Sequence, residues 1–490
     1  MKEIPELRPL QVKDLAFAIG NPKSLNLSDP GTGKTPTACV LFYYWWTRKG
    51  RRTVWSMPKS LMEKNREELL RFTEFTEDDV VILESDHAKL TKDWTGPTFT
   101  RKKKVKALTG KIGPDGQPLK QTIEVPEVAK DLIAANKDAK VFICTFAFLR
   151  NHWERLLKTI PTIGMFGVDE LHMGYGTPGS AQTESFYFVN HHCQGFYGMT
   201  GTLVDGRLDS AFPAIHVIEP RYYGSYSGFV DEHAAWINDY GKVETWKGEA
   251  KLAQILARHA IRHSFEEVYG DEPVHFETVL LKMFEAQREA YDKFHEQAML
   301  ELEDGRILNG ELPGVAVIRA TQIMAHPETM GLAKDEVTAK DRKLMEYAVE
   351  GRPMLVFSAA QAEQERCVER LEECGLKVGL INANVSGKRR GEIDRDFRAG
   401  KLDGIVGSGP TVAVGYNWER ADHVVGVSWD YKDVNFVQAY RRASRGSRKT
   451  ILRVTTLAYE NSIDQRKLDI LANKSQLANR VDKTRRVLSF

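Results

Sequence analysis

A short glycine-rich stretch, LNLSDPGTGKTPTA at residues 25–38, carries the residue types that hold phosphate groups. Its glycines let backbone N–H groups turn toward phosphate oxygens, its lysine can reach the outer oxygens, and the hydroxyl after the lysine suits a magnesium ion. The strict pattern G-x-x-x-x-G-K-[ST] has glycine where this chain has Ser28, so the loop alone does not establish nucleotide binding. The predicted ligands of ATP are Gly31, Thr32, Gly33, Lys34 and Thr35.

Two carboxylates follow an apolar run in MFGVDELH, residues 165–172. A phosphate loop needs an acidic partner for magnesium and a group that orients water, both supplied from the end of a neighbouring strand. We expect Asp169 to hold Mg²⁺ together with Thr35, and Glu170 to orient the attacking water. The pair is a weak signal by itself, but it follows the loop by about the length of one α/β module. Lys34, Asp169 and Glu170 are therefore predicted to be catalytic.

A basic stretch far along the chain, QAYRRASRGSRK, places Gln438, Arg442 and Arg445 at positions i, i+4 and i+7. On a helix this spacing puts the three side chains on one face. We expect them to close over the triphosphate, with the arginines stabilising charge that develops on the transferred phosphoryl group. The alternative is a basic helix that faces solvent.

Two threonines in YGMTGTL, Thr200 and Thr202, follow another predicted strand. A hydroxyl pair at this place can relay hydrolysis to strand movement. The alternative is a simple turn. We assign both threonines a coupling role as a prediction.

The pattern of elements predicts an α/β fold with two parallel-sheet modules. Short apolar strands that end in polar or glycine positions alternate with helical stretches, and ligands bind at such strand ends in open α/β sheets. The predicted domains are a first module at 1–215, a helical insertion and linker at 216–350, a second module at 351–460, and a helical tail at 461–490.

One insertion in the first module reads as a β-hairpin. Residues 104–125 contain Pro-Asp-Gly at 114–116, and the surrounding segment 101–130 holds eight Lys/Arg against three acids. A basic hairpin at about 101–126 could contact nucleic acid through Lys102, Lys103 and Lys104. The alternative is a decorative surface insertion, since surface loops tolerate insertions well.

The composition limits the class of protein. The chain has 490 residues, 42% hydrophobic and 28% charged, which is typical of a globular protein of two or more domains and excludes a disordered or membrane-embedded chain. Its five cysteines are scattered without a C-x-x-C pair, so neither a disulfide framework nor a zinc site is predicted. No signal peptide or apolar run of spanning length is visible, and we expect a cytoplasmic protein with no membrane partner.

Taken in order, these elements resemble superfamily 2 helicases and translocases, most closely the Swi/Snf-type branch, from about residue 8 to 465. SDPGTGKT is similar to the superfamily's own form of the phosphate loop, which tolerates a small residue at Ser28, and VDELH resembles its DExH box. Further segments that match are LRPLQ (7–11), SMPKSL (56–61), CTFAFL (144–149), VIRATQIMAHP (317–327), VFSAAQ (356–361), NVSGKRRGEIDRDF (384–397), TVAVGYNWERADHVV (411–425) and QAYRRASR (438–445).

The resemblance implies two RecA-like lobes and further site residues. Gln11 is expected to read adenine. Gly415, with Asn417, is expected at the nucleotide cleft between the lobes. The residues expected to contact nucleic acid are Lys59, Thr145, Ser386 and Arg390. The chain departs from the family pattern at Leu203, where proline is usual, at Arg441, where glycine is usual, and at Leu171-His172, where Ala-His is commoner.

The function that this resemblance implies is an ATP-dependent DNA helicase or translocase that acts on duplex, forked or junction DNA. The compact chain is similar to bacterial or phage-encoded DNA helicases, including branch-migration enzymes, and a monomer is plausible. Two alternatives stay open: an RNA helicase, and a nucleotide-gated DNA-binding clamp that does not unwind. The expected cofactors are ATP and Mg²⁺.

Overall fold

The computed structural model describes residues 3–84, 89–91, 93–112, 118–204, 207–270, 273–297, 299–301, 307–309, 313–325, 327, 337–412, 416–429, 433–444 and 448–481. The chain folds as two compact units. Unit 1 comprises residues 1–26, 34–199 and 211–226, and unit 2 comprises residues 27–33, 200–210 and 227–490.

A parallel sheet forms the centre of unit 1. Six of its strands are neighbours in the order Lys23–Asn26, Gly195–Met199, Ile163–Val168, Arg52–Met57, Val141–Thr145 and Val80–Leu83, and each pair is parallel. The helices of this unit are Pro9–Gly20, Lys34–Lys49, Met62–Phe72, Leu132–Ala135, Phe146–Thr159, Leu171–Tyr175, Ala181–His192 and Phe212–Ile218. Short 3-10 turns lie at Lys59–Leu61, Glu77–Asp79 and Leu208–Ala211. In the last of these the sequence passes from a segment of unit 2 to a segment of unit 1.

The strands of this sheet form because their sequences are apolar almost without interruption. All six residues of Ile163–Val168 are buried, as expected for a parallel strand that is covered on both faces. The helix Lys34–Lys49 packs through its apolar side chains, and its Phe42 ring meets the Trp55 ring edge-on at 5.1 Å. The first predicted parallel-sheet module is thereby confirmed.

The basic insertion is a long antiparallel hairpin. Its strands are Thr98–Ile112 and Pro118–Lys130, which pair from Thr98 with Lys130 to Ile112 with Pro118. The hairpin is longer than the predicted interval 101–126. The predicted Pro-Asp-Gly turn lies outside the described residues.

A second parallel sheet lies in unit 2. Its strands are neighbours in the order Val274–Leu281, Leu452–Tyr459, His423–Gly426, Met354–Phe357, Gly404–Gly407 and Val378–Ile381, all in parallel pairs. The remaining strands of this part of the chain are Ala234–Ile237, Val243–Trp246, Ala260–Ile261, Met299–Glu301 and Ile307–Asn309. The helices from residue 226 onward are Tyr226–His233, Glu249–His259, Phe265–Tyr269, Glu285–Gln297, Pro313–Ala325, Ala339–Val349, Gln361–Glu373, Gly387–Arg398, Gly409–Val412, Asp433–Tyr440 and Ile463–Val481.

Two predicted elements differ from the structure. The interval 216–350 is not only helical, because its strand Val274–Leu281 pairs along its whole length with Leu452–Tyr459. The predicted helix 438–445 ends at Tyr440, and hydrogen-bonded turns follow. Beyond the helix, the carbonyl of Arg442 accepts a hydrogen bond from the Trp418 amide at 2.8 Å.

In the part of the chain that the structure describes, no helix combines the length and the apolar character that crossing a bilayer requires.

Candidate nucleotide site and nucleic-acid contacts

The glycine-rich loop leaves the strand Lys23–Asn26 and leads into the helix Lys34–Lys49. Gly31 has φ 88° and Gly33 has φ 97°, both in the left-handed region that L side chains rarely adopt. Alternating left-handed glycines turn successive N–H groups toward one concave side, which is the backbone arrangement that binds anions. The loop therefore has the backbone form that a phosphate cradle needs.

A later segment of the chain holds this loop by hydrogen bonds. The His263 amide donates to the Ser28 hydroxyl at 3.1 Å, and the Asp29 amide donates to the His263 carbonyl at 3.0 Å. The Tyr269 hydroxyl donates to the Gly31 carbonyl at 3.0 Å. Ser28 is buried and its hydroxyl accepts a bond that glycine could not accept, which gives a structural reason for serine at this position.

The predicted metal ligand Asp169 follows the strand Ile163–Val168 and is buried. Burial and the neighbouring Glu170 carboxylate raise the pKa of Asp169 to about 6. A hydrogen bond of 2.8 Å from the Asn65 amide and the charge of Lys34 act in the opposite direction and lower this pKa. A buried carboxylate next to a second carboxylate is stabilised in its charged form by a cation, so this environment suits a divalent metal.

Glu170 has an unusual backbone. Its φ of 50° and ψ of 52° place it in the left-handed region, which is uncommon for residues other than glycine. Such strain is found at functional sites, where the surrounding contacts hold it. Here the Glu170 amide donates to Asp169 at 3.0 Å, and its carboxylate lies 3.6 Å from the His172 ring nitrogen Nδ1.

Lys34 and Thr35 are the first two residues of their helix. Helix N-termini attract anions because their first amides have no partner within the helix. Together with the glycine conformations and the buried Asp169, this set of groups fits a nucleoside triphosphate with magnesium. The roles of Lys34, Thr35, Asp169 and Glu170 are predictions that this geometry supports.

Thr200 and Thr202 form a closed local turn. The Thr202 amide donates to the Thr200 hydroxyl at 3.0 Å, and that hydroxyl donates to the Thr202 carbonyl at 3.1 Å. The glycine between them is needed, because a side chain at Gly201 would approach Pro30 Cδ to 2.8 Å. Gly201 of this turn thus lies close to Pro30 of the phosphate loop, while the coupling role of the two threonines stays a prediction.

The structure describes residues 438–444 of the predicted arginine segment 438–445, which lies in unit 2. Gln438 and Arg442 are both buried, and Arg442 Nη1 lies 3.5 Å from the Tyr416 carbonyl. Because the helix ends at Tyr440, these two side chains do not lie on one continuous helix face. The predicted residues Arg445 and Gly415 lie outside the described residues.

The other predicted residues of unit 1 lie near helix starts. Gln11 is buried in the first turn of Pro9–Gly20, where its side chain accepts from the Arg8 amide at 2.9 Å. Lys59 is exposed and forms an ion pair of 2.9 Å with Glu84. Thr145 caps its helix by accepting from the Phe148 amide at 3.0 Å.

The remaining nucleic-acid candidates lie on two elements. Ser386 caps the helix Gly387–Arg398, and Arg390 donates to the Asn382 carbonyl at 2.7 Å. Lys102, Lys103 and Lys104 lie on the first hairpin strand, and their side chains lie outside the described part of the structure.

Sequence reasoning missed three polar groups that contact the site. Asn65 holds Asp169, and a polar residue on the apolar Met62–Asn65–Leu69 face of a helix is the signal that could have found it. Asp29 and Arg441 form a buried ion pair at 2.9 Å. No local pattern shows this pair, because its members lie far apart in the sequence.

Comparison with known proteins supports one family. Residues 339–447 match the model described as helicase conserved C-terminal domain. Chromodomain-helicase-DNA-binding protein 8 of Danio rerio is 22% identical over 308 residues, covering 55% of this chain and 12% of that protein. CHD3-type chromatin-remodeling factor CHR7 of Arabidopsis thaliana is 22% identical over 308 residues, covering 58% of this chain and 24% of that protein. The matched region thus spans a quarter or less of the length of these relatives.

A solved structure of S. cerevisiae Dbp5 has the same architecture. S. cerevisiae Dbp5 bound to RNA and ADP BeF3 aligns with 97% of this chain and 88% of its own, at 12% identity and a TM-score of 0.54. The Sulfolobus solfataricus SWI2/SNF2 ATPase core in complex with dsDNA aligns with 100% of this chain and 98% of its own, at 16% identity and a TM-score of 0.40. The two parallel sheets correspond to the RecA-like lobes of superfamily 2 helicases. These findings support similarity of the chain to superfamily 2 helicases of the Swi/Snf-like branch.

Proposed function

We propose that the chain is an ATP-dependent DNA translocase or helicase. The observation that carries this proposal is the group formed by Lys34, Asp169 and Glu170 in unit 1, where Lys34 directly follows the left-handed Gly33 in the chain. The similarity to helicases adds the expectation that hydrolysis is coupled to movement on nucleic acid. DNA is favoured because the related proteins are named DNA-binding helicases and chromatin-remodeling factors.

In the proposed reaction the loop amides and Lys34 bind the phosphates of ATP, and Gln11 reads the adenine. Thr35 and Asp169 would hold Mg²⁺, which neutralises phosphate charge. Glu170 orients water, whose oxygen bonds to the γ-phosphorus while the bond to the bridging oxygen of ADP breaks.

Arginine side chains are proposed to complete this chemistry. Arg442 and Arg445 would stabilise negative charge on the transferred phosphoryl group, as arginine fingers do, and Gln438 would assist them. Gly415 is proposed to line the nucleotide site. Thr200 and Thr202 would pass the loss of the γ-phosphate to neighbouring elements.

Nucleic acid is proposed to bind through its phosphate backbone. The groups that would make these contacts are Lys59, Thr145, Ser386, Arg390 and the hairpin lysines Lys102, Lys103 and Lys104. Backbone contacts of this kind make binding nearly independent of sequence and sensitive to salt. The resemblance to compact bacterial or phage-encoded enzymes adds strand separation and branch migration as candidate outcomes of the movement.

The test is ATP hydrolysis in the presence of single-stranded, duplex, forked and four-way-junction DNA, and of duplex RNA. We expect DNA to stimulate ATP hydrolysis, and this stimulation should weaken as the salt concentration rises. The strongest stimulation should come from a form of DNA that contains duplex. An RNA helicase is the second candidate, because the fold is shared with Dbp5, whose structure is bound to RNA. Stimulation by RNA alone would favour that candidate, and hydrolysis that no nucleic acid changes would contradict both.

A hairpin variant with glutamine in place of Lys102, Lys103 and Lys104 tests the proposed contacts of the hairpin with DNA. We expect lower DNA affinity and a weaker dependence of affinity on salt, by about one counterion for each lost phosphate contact. The matched control is glutamine at Lys49 and Lys137, two exposed lysines of the same unit. Equal DNA affinity in the hairpin variant and the wild type would show that the insertion is decorative.

A further inference from the structure

Arg441 stands where the family usually has glycine, and it is almost fully buried, with 3% of its surface exposed. A guanidinium is always charged, so burial requires a partner for that charge. The partner is Asp29 of the phosphate loop, whose Oδ2 lies 2.9 Å from Arg441 Nη2. Both residues belong to unit 2.

The contacts of Arg441 continue along the loop and its surroundings. Its Nη1 lies 3.4 Å from the carbonyl oxygen of Pro30, the next loop residue. The centre of the guanidinium lies 5.1 Å from the Phe265 ring, a distance that permits a cation–π interaction. Its Nε donates to the Tyr440 hydroxyl at 3.3 Å. The side chain is thus fixed by charge, hydrogen bonds and an aromatic face together.

Asp29 is held as firmly as its partner. The Oδ2 atom that faces Arg441 also accepts the Phe265 amide at 3.1 Å. The Asp29 carbonyl accepts the Thr32 hydroxyl at 2.7 Å, which closes the turn just before Gly33. A shift of Asp29 therefore moves the backbone that presents the loop amides.

We propose that Arg441 is a positioning residue for nucleotide binding, which holds the phosphate loop in its anion-binding conformation through the ion pair with Asp29. The inference rests on the proposed function and deepens it. Because Arg441 precedes Arg442 in the chain, the pair also ties the loop to the segment that carries the proposed arginine finger. Nucleotide affinity then depends on Arg441 through its contacts with Asp29 and Pro30.

The test compares nucleotide affinity in Arg441→Met, Asp29→Asn and the double variant. The probe is N-methylanthraniloyl-ADP with Mg²⁺, titrated by fluorescence, which needs no hydrolysis. We expect each single change to raise Kd about tenfold or more, since small misplacements of a preorganised site are costly. The Kd of the double variant should not exceed the larger of the two single-variant Kd values, because the two residues act as one pair. Arg441→Lys, which keeps the charge, should recover part of the affinity.

A matched control separates positioning from general stability. Arg448 is equally buried and pairs with Asp422, and it contacts backbone carbonyls of residues 419 and 421 rather than the loop. Arg448→Met should lower thermal stability while Kd stays at the wild-type value.

Two results would overturn the inference: a wild-type Kd in folded Arg441→Met, or additive effects in the double variant. If Arg441→Met does not fold, Arg441→Lys and Asp29→Asn are judged by the same Kd criterion. A wild-type protein that binds no nucleotide would instead refute the proposed function itself.

Discussion

The two parallel sheets carry buried charge in different ways. In unit 1 the buried Asp169 lies beside a second carboxylate and a neutral amide, and its pKa is raised to about 6. In unit 2 several buried charges are neutralised by ion pairs within the protein, as in Lys340 with Asp464 at 2.6 Å. A crowded pair of carboxylates favours a cation from solution, whereas a closed ion pair needs none. The contrast between Asp169 and the Lys340–Asp464 pair indicates that similar α/β units can use buried charge either for chemistry or for structure.

The largest expected effect tests whether Arg442 takes part in the chemistry. In the Arg442→Ala variant we expect kcat for ATP hydrolysis to fall by roughly 10³-fold or more, because an arginine finger acts mainly in the transition state. The fluorescent-ADP affinity should change far less. Steady-state hydrolysis and the titration measure the two quantities, and Arg448→Ala is the control for loss of a buried arginine. Unchanged kcat in folded Arg442→Ala would show that Arg442 takes no part in the chemistry.

The next effect is on stability. Lys340→Met leaves Asp464 buried without its cation, and we expect the free energy of unfolding to fall by about 3–5 kcal/mol. Hydrolysis per folded molecule should stay unchanged. Denaturant unfolding measures the loss, with Lys343→Met as the control because Lys343 forms an ion pair with the exposed Glu346. If both variants lose the same stability, the contrast between the sheets is wrong.

A smaller effect depends on pH. Burial, aided by the charge of Arg453 and opposed by Glu277, lowers the pKa of His423 to about 4. The unfolded chain therefore binds a proton more readily than the folded one, and stability is lost as pH falls from about 6.5 toward 4, by about 3 kcal/mol in total. Unfolding of wild type and His423→Gln across this range measures the effect. Parallel pH profiles for the two proteins would contradict it.

Local sequence patterns predicted the elements well where hydrophobic runs end abruptly. The apolar run that precedes the carboxylates in MFGVDELH lies in the strand Ile163–Val168, which ends just before Asp169. The strand Val274–Leu281 was missed because its partner strand, Leu452–Tyr459, is remote in sequence. The end of the arginine helix at Tyr440 was also missed, because the spacing of Gln438, Arg442 and Arg445 fits a helix but does not mark where that helix ends.

The candidate site also has features that the sequence could predict and features that it could not. Lys34, Asp169 and Glu170 could be proposed from sequence because each belongs to a short local pattern. The raised pKa of Asp169 and the left-handed backbone of Glu170 arise from burial and packing, which no local pattern contains. The pairing of Arg441 with Asp29 required the folded chain, although the sequence already marked Arg441 as unusual for the family.

The central claim is that Glu170 turns a nucleotide-binding site into a hydrolytic one. The most direct measurement is ATP turnover by Glu170→Gln beside its affinity for fluorescent ADP, with Glu184→Gln as an exposed control. The account predicts unchanged affinity and a loss of kcat on the order of 10²- to 10⁴-fold, since the amide cannot act on the water as the carboxylate does. Wild-type turnover in the folded Glu170→Gln variant would contradict the account.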